Sequence, residues 1–241
     1  MNNNLSAWIR WSGYLAWVFL VMLVMGVLMV RAGSWQQGLL IYAVSGLVSL
    51  LLLALFAVQY LLPRFAEQRA MIVRRALPAL PGSALLVMAL VGGRGIPPIH
   101  DITTNPADPP SFAAVQDLRA ADDNALDIDP DVIAQQLEAY PDLETIRSGL
   151  SYNDAYALAL ETAQSLGWEI VRDDVNGGFI EAFDTTAIMN FTDDVVIRVR
   201  NSGDGSAIDL RSASRVGVSD LGANAERIRA FAARFADSSG S

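Results

Sequence analysis

Three long uncharged stretches dominate the first part of the chain. They cover residues 11–30, 32–63 and 76–93, and the second is apolar from about residue 38 to residue 62. Each can cross the ~30 Å hydrocarbon core of a bilayer as a helix. The first is longer than the apolar region of a cleaved signal peptide, and Arg31 follows it without a small-x-small cleavage motif. The pattern predicts three retained transmembrane helices within residues 1–95.

The arginines between these stretches predict an orientation. Residues 64–75 hold four arginines and one glutamate, whereas residues 31–37 hold a single arginine. Arginine-rich loops stay on the cytoplasmic side, so we expect a cytoplasmic N-terminus and an extracytoplasmic, for instance periplasmic, C-terminal domain. The expected location is the inner (cytoplasmic) membrane, with the lipid bilayer as a partner. Because no ionisable residue lies inside a span, a transport role is disfavoured.

Residues 96–150 show a different pattern. The segment IPPIHDITTNPADPP at residues 96–110 contains five prolines, which predict an extended strap because proline fixes φ and disfavours helix in the preceding residue. An acidic stretch follows at residues 113–139, with a short helix predicted from Asp129-Pro130 to Tyr140. We interpret residues 96–150 as a strap and an acidic connecting segment.

Residues 151–241 have the most regular pattern. Apolar residues recur at helical spacing from Ser151 to Leu166 and again over about residues 220–236. Between them, four strands are predicted at about residues 168–175, 179–184, 195–200 and 207–213, with Gly-rich turns after the first and third. The order predicts an α+β fold, a two-layer sandwich in which helices cover one face of a four-stranded antiparallel meander.

Alternation along the strands assigns the two faces of this sheet. The residues expected to face the helices are Trp168, Ile170, Ile180, Ala182, Val195, Ile197, Val199, Ile208 and Leu210. The opposite face then carries Val171, Phe179, Glu181, Phe183, Val196, Arg198, Arg200, Asp209 and Arg211. Since exposed phenylalanines are unfavourable there, we expect the strap to cover Phe179 or Phe183 with Ile99, Ile102 or Phe112. We also expect Glu181, Arg198 and Arg211 to form a cross-strand charge ladder.

Composition excludes several functions. The chain of 241 residues is 52% hydrophobic, with a mean hydropathy of +0.32 and a net charge of −9. The charge is about +6 before Gly95 and −15 after it, so we predict no nucleic-acid binding, which needs basic residues against phosphates. The absence of cysteine excludes disulfides, thiolate metal sites and a thiol nucleophile.

Five motifs carry a resemblance to a known family: IHDITT at 99–104, DPPSF at 108–112, AYPDL at 139–143, FTDDVVIRVR at 191–200 and DLRSASRVGVSDLGANAERIRAF at 209–231. Through these motifs, about residues 96–236 of the chain resemble the bacterial and plastid family called domain of unknown function 1499. The three preceding spans resemble a membrane-anchored subgroup. The resemblance implies a shared fold and no established reaction.

The turn from the last strand to the last helix is the leading candidate for a binding site. A helix N-terminus with nearby arginine and serine favours anions such as phosphate, carboxylate or a lipid headgroup. In the alternative interpretation, Ser219 or Asp220 only caps the helix and Arg215 pairs with a carboxylate. The candidate ligand-binding residues are Arg198, Arg211, Ser212, Ser214, Arg215, Ser219, Asp220 and Asn224.

His100 and Asp101 adjoin each other in the strap and invite comparison with a catalytic pair. Neighbours in an extended segment point to opposite sides, so we keep both as strap residues, with His100 tying the strap to the domain by hydrogen bonds. No G-x-S-x-G motif supplies a nucleophile. The acidic run Asp122, Asp123, Asp127, Asp129 and Asp131 lacks the glycine and glutamate of a calcium loop. We therefore predict no catalytic residue, metal site or cofactor.

Two functional classes remain open. The first is a membrane-anchored envelope protein whose non-enzymatic module binds a small anionic ligand, a lipid headgroup or a protein partner. The second is a hydrolase or transferase that uses His100, Glu181 and nearby arginines. Polar groups that converge in one pocket would favour the second class, and an apolar face the first.

Overall fold

The computed structural model describes residues 6–239. The chain divides into two compact units, one that extends to Arg94 and includes Ala187–Asn190, and one that comprises Gly95–Thr186 and the chain from Phe191 onward. The predicted domain boundaries at residues 95 and 150 stay predictions.

The first unit is helical. It contains α1 (Ala7–Arg31), α2 (Trp35–Leu61), α3 (Arg69–Ala76) and α4 (Leu80–Gly92), with 3-10 turns at Pro63–Gln68 and Leu77–Ala79. Three segments are long and apolar enough to cross a membrane, Ala7–Arg31, Trp35–Leu61 and Pro63–Gly92. The prediction of three apolar N-terminal helices is therefore confirmed.

Glycines let these helices approach closely. A Cβ atom on Gly26 of α1 would lie 2.9 Å from the Gly38 carbonyl oxygen of α2, and one on Gly38 would lie 2.7 Å from the Gly26 oxygen. Gly82 of α4 meets Ser49 of α2 in the same way, with a Cβ-to-Oγ distance of 2.7 Å. Small residues at such contacts allow backbone packing between apolar helices.

The second unit is built on one antiparallel sheet. Its strands are β1 (Asp101–Thr103), β2 (Ile146–Ser148), β3 (Glu169–Asp174), β4 (Phe179–Thr185), β5 (Thr192–Ser202) and β6 (Gly205–Ser214). The order is β1-β6-β5-β4-β3, and β2 also pairs with β6. The four-strand meander and the α+β class are confirmed. The two additional strands both lie on the outer side of β6.

Three helices complete this unit, α5 (Pro130–Ala139), α6 (Tyr152–Ser165) and α7 (Ala223–Ser239). Ser151 caps α6 by accepting a hydrogen bond from the Asp154 N–H, as its sequence pattern predicts. The last helix begins at Ala223, later than the predicted residue 220. Leu221 and Gly222, with φ of 53° and 86°, form a turn that cannot continue a helix.

The main core lies between the sheet and the α6 and α7 helices. All nine residues predicted to face the helices belong to it or pack against it. A second cluster on the other face contains Phe112, Val115, Val196 and Ala213, with Val171 and Phe179 packed against them. The prediction that Phe112 covers Phe179 is thus confirmed. Of the three alternatives Ile99, Ile102 and Phe112, the structure selects Phe112. Ile99 and Ile102 lie in the main core instead, at the edge of the sheet where the strap pairs with β6 as β1.

Candidate functional site

The predicted ligand-binding residues divide between the two faces of β6. Ser212 and Ser214 point towards α7, whereas Arg211 and Arg215 point to the opposite face. The cause is the two-residue period of a strand, which sends successive side chains to opposite sides. The turn therefore does not gather serines and arginines into one pocket.

The helix side holds a buried polar cluster, which we call the α7 cluster: Ser212, Ser214, Asn224, Arg227 and Asp193. The Ser212 hydroxyl donates to Asn224 Oδ1 at 2.6 Å, and Asn224 Nδ2 donates to Ser214 Oγ at 2.9 Å. The same amide donates to the backbone oxygen of His100 at 3.0 Å. Asn224 thereby ties α7 to β6 and to the strap.

Arg227 completes the α7 cluster, although no motif in the sequence marks it as a site residue. Its guanidinium donates to Asn224 Oδ1 at 2.7 Å and to Ser212 Oγ at 3.1 Å. It also forms ion pairs with Asp193 at 2.7 Å and Asp184 at 3.1 Å. Its side chain is only 7% exposed. Because these acceptors already pair with its guanidinium, Arg227 stabilises the packing of α7 on the sheet and is not available to bind an added anion.

Asp220 fixes the turn that precedes α7. One carboxylate oxygen accepts from the Gly222 N–H at 2.8 Å, and the other from the Asn224 N–H at 2.9 Å. Burial is the main cause that raises the pKa of Asp220 above the usual 3.8, and the nearby Asp193 adds to it. Ser219 accepts from the Leu221 N–H at 3.3 Å. Asp220 therefore caps α7, as the capping interpretation expects, whereas Ser219 bonds within the turn that precedes the helix.

The opposite face holds three fully buried carboxylates, Glu181, Asp194 and Asp209. Each accepts hydrogen bonds from one or more arginines. Burial of a carboxylate is unfavourable unless its charge is paired. These three residues therefore determine where the arginines of this face point.

Asp194 directs Arg215. Arg215 pairs with it at 2.7 Å, donates to the Leu118 oxygen at 3.1 Å and lies over the Phe183 ring at 5.6 Å. Arg119 pairs with the other oxygen of Asp194. Arg215 therefore pairs with a carboxylate, as in the alternative interpretation of the turn, and lies on the face opposite α7.

Glu181 holds the segment that covers this face. One of its oxygens accepts from the N–H groups of Ala113 at 3.0 Å and Val115 at 3.1 Å, and the other pairs with Arg172 at 3.0 Å. The predicted ladder of Glu181, Arg198 and Arg211 is wrong in its pairing. Arg172 of β3 lies beside Glu181, while Val196 separates Glu181 from Arg211 in the register.

Asp209 receives the largest set of donors. Arg198 pairs with it at 2.8 Å, Arg200 at 2.9 Å and the Thr145 hydroxyl at 2.6 Å. Burial opposes its ionised form, but the hydrogen bonds from Arg200, Thr145 and Arg198 outweigh burial and lower the pKa of Asp209 below 3.8. A charged Asp209 thus links β6 to β5 and to Thr145, the residue that precedes β2.

The strap residues His100 and Asp101 have separate roles. Asp101 pairs with Arg211 at 2.6 Å, and the backbone oxygen of His100 accepts from the Ser214 N–H at 2.8 Å. The strap is held through the backbone of His100, whereas the prediction used its imidazole. Three strand spacings of ~4.8 Å separate β1 from β4, so the structure does not bring His100 to Glu181 as a catalytic site requires.

Two clefts lie beside the strap. The smaller, about 400 Å³, is lined by His100, Asp101, Asn124, Asp127 and Asp129 among others. Asp101 is already bound to Arg211 there. Within residues 6–239, no group of three or more His, Cys, Asp or Glu residues is arranged to hold a metal ion.

The larger cleft, about 530 Å³, lies between α5 and β2, and we call it the edge cleft. Its lining comprises Thr104, Asn105, Pro106, Ala107, Ile133, Leu137, Glu144, Thr145 and Arg147. It lies beside the part of β6 between residues 206–208, which pair with β2, and residues 211–213, which pair with β1. No sequence pattern indicated it, because it is assembled from segments that are individually irregular and far apart in the chain.

Together, these features define an α+β domain with buried ion pairs on both sheet faces, joined to three apolar helices. Residues 101–235 match the family described as protein of unknown function (DUF1499). This match covers more than half of the chain, so the chain belongs to that family, as its motifs indicated. No curated protein matches the chain.

Proposed function

We propose that this protein is a membrane-anchored binding module, held in the cytoplasmic membrane with its N-terminus in the cytoplasm and its second unit outside. Three apolar helices and the concentration of arginines at residues 64–75 support this orientation. The module is non-enzymatic, and its ligand is an extended segment of a protein partner. The edge cleft carries this proposal.

The edge cleft has the form that a peptide strand requires. Among the strands of residues 6–239, β2 pairs only with β6, so its other side is a sheet edge with no strand beside it. Ile133 and Leu137 of α5 line the cleft beside this edge, and Leu137 is 55% exposed. A peptide added to β2 would gain main-chain hydrogen bonds from the strand and apolar contacts from the helix.

The remaining sheet edges are protected against such addition. At β1, the Gln136 amide accepts from the Thr103 N–H at 2.9 Å and donates to the Thr103 oxygen at 2.6 Å, in the manner of a neighbouring strand. At β3, the register shifts between Ile170 and Arg172, and four of the six side chains are charged. Bulges and charges discourage pairing at an edge. The edge at β2 is thus the most accessible to a partner.

A small anionic ligand has less support. Arg198, Arg211 and Arg215 each pair with a carboxylate of the domain. An added anion would have to displace these buried or half-buried partners and leave them uncompensated. We therefore favour the protein partner over the headgroup or anion.

The test is site-specific photo-crosslinking of the full chain in cells. A photoreactive phenylalanine derivative at Leu137 should give a discrete adduct with an extended segment of one partner, identified by mass spectrometry. The same residue at Leu118, 48% exposed but outside the cleft, is the matched control. Adding Ile133→Asp should reduce the Leu137 adduct about tenfold, because loss of one apolar contact removes at least about 1.4 kcal/mol of binding.

Absence of a Leu137 adduct, or equal adducts at both positions, would contradict the proposal. An Ile133→Asp variant that keeps its amide-exchange protection in β5 and β6 but retains the full adduct would also contradict it.

A further inference from the structure

The end of the sheet at which the chain enters the second unit carries an exposed apolar surface. We call it the neck patch and define it by Ile96, Val218 and Leu221. A Cβ atom on Gly222 would lie 3.3 Å from Cδ1 of Ile96, and the Asp220 N–H donates to the Ile99 oxygen at 3.2 Å. The turn before α7 therefore packs directly against the first residues of the strap.

Val218 and Leu221 are exposed to an unusual degree. Val218 is 78% exposed, more than any other large apolar side chain of residues 6–239, including those of the membrane helices. Leu221 is 58% exposed. Between Val216 and Gly222 the sole charged residue is Asp220, whose carboxylate accepts from the Gly222 and Asn224 N–H groups. The surface thus offers apolar side chains without an exposed charge among them.

The backbone holds Leu221 in this position at an energetic cost. Its φ of 53° lies in the left-handed region, which a branched, bulky side chain disfavours. A glycine would adopt this conformation without strain. The turn therefore combines a strained backbone with a solvent-exposed leucine, and neither feature stabilises the domain by itself.

Chain length keeps the neck patch close to a bilayer. The last apolar helix ends at Gly92, and only Gly93, Arg94 and Gly95 precede Ile96. Extended chain covers at most about 3.6 Å per residue, so Ile96 stays within roughly 14 Å of the end of α4 in any orientation of the domain. The β3–β4 hairpin lies at the other end of the strands, a further ~20 Å away along β4.

We propose that the neck patch inserts Val218 and Leu221 into the interfacial region of the lipid leaflet from which α4 emerges. Apolar side chains gain free energy by leaving water for the boundary between headgroups and acyl chains. This contact would fix the tilt of the domain and present the edge cleft in a defined direction. The inference rests on the membrane anchoring in the proposed function and is independent of the ligand of the cleft.

The test uses single cysteines in the full chain, which has none of its own. Val218→Cys and Leu221→Cys are labelled with an environment-sensitive fluorophore in phosphatidylcholine vesicles, with and without lipids that carry a nitroxide quencher near the headgroup. Both labels should shift to shorter emission wavelength and lose about half of their intensity or more, as expected at an interfacial depth of ~5–10 Å. The matched control is Val175→Cys, at an exposed valine of the β3–β4 hairpin.

A fourth variant separates failure of the inference from failure of anchoring. A label at Met25→Cys, on the exposed side of α1, should be quenched by nitroxides placed deep in the acyl chains. Quenching at residue 25 without quenching at residues 218 and 221 would overturn the inference and leave the anchoring intact. Equal quenching at residues 175 and 218 would overturn it as well, and no quenching at residue 25 would overturn both.

Discussion

Arg227 of α7 donates to Asp193 of β5 at 2.7 Å, in a position where both side chains are almost fully buried. The same guanidinium reaches Asp184 of β4 and Asn224 of its own helix. One residue thus joins the last helix to two central strands. Its family motif, the segment at 209–231, contains Arg227 together with Ser212 and Asn224, so the motif describes a packing unit.

Arg227→Ala is expected to destabilise the second unit by about 3–5 kcal/mol, because it leaves buried Asp193 without its charge partner. Arg229→Ala is the matched control on the same helix. Arg229 pairs with Asp142 and Glu226, but its side chain is 36% exposed. Its loss should therefore lower the free energy of unfolding by about 1 kcal/mol or less. Denaturant titration of the full chain in detergent, followed by amide exchange in α7, measures both. Equal decreases in the free energy of unfolding of the two variants would show that Arg227 does not stabilise the second unit more than Arg229 does.

Glu181→Gln should loosen residues 112–118 without unfolding the sheet. The amide retains one acceptor oxygen but presents N–H groups where the carboxylate faces donors from Arg172, Ala113 and Val115. We expect a loss of about 2 kcal/mol, seen as faster amide exchange in this segment than in β5. Glu144→Gln, at an exposed position, is the control and should leave exchange unchanged. Unchanged protection of residues 112–118 in Glu181→Gln would show that Glu181 does not hold them.

Asp209 and Asp220 should give opposite pH dependences. The pKa of Asp209 is lowered in the folded state, so its contribution to stability is present above the usual 3.8 and disappears as the pH falls through the lowered folded pKa. The pKa of Asp220 is raised, so the folded state holds the proton more tightly, and stability decreases as the pH rises from 3.8 through the raised folded pKa.

Unfolding midpoints of Asp209→Asn and Asp220→Asn, measured against the parent chain from pH 7 to acid, test this pair. The deficit of Asp209→Asn should shrink as the pH falls below 3.8. The stability of Asp220→Asn relative to the parent should instead improve as the pH rises above 3.8. If the unfolding midpoint of either variant changes with pH in parallel with that of the parent chain, the substituted residue keeps its ordinary pKa in the folded chain.

The proposed orientation predicts which positions an impermeant thiol reagent can reach in intact cells. Cysteines at Ser202 and Ser239 should react from outside, whereas one at Gln68 should be shielded, because the arginine-rich connection resists translocation. A cysteine at Asn3 should be shielded too, although this position lies outside the described residues. Labelling at Gln68 but not at Ser202 would invert the orientation. Permeabilised cells, in which all positions become accessible, provide the control.

Elements with a strong period or a long apolar run follow from the amino-acid sequence alone. The spans need only length and apolar composition, and the α6 helix follows from its spacing and from the Ser151 cap. The four meander strands, and the nine side chains that face the helices, follow from alternation along the strands, whereas the register shift in β3 places the neighbours Val171 and Arg172 on the same face. These features are local, so neighbouring residues suffice to specify them.

Contacts between distant segments depend on how the whole domain folds. β1 and β2 have three residues each, too few for a period, and become strands because β6 supplies their partners. Arg215 finds its partner in buried Asp194 of another strand, and the sequence near Arg215 does not contain that pairing. The edge cleft exists because β1 and β2 cover different parts of β6. Pairing of buried charges and the shape of clefts depend on which segments meet, and the order of residues along one segment does not contain that information.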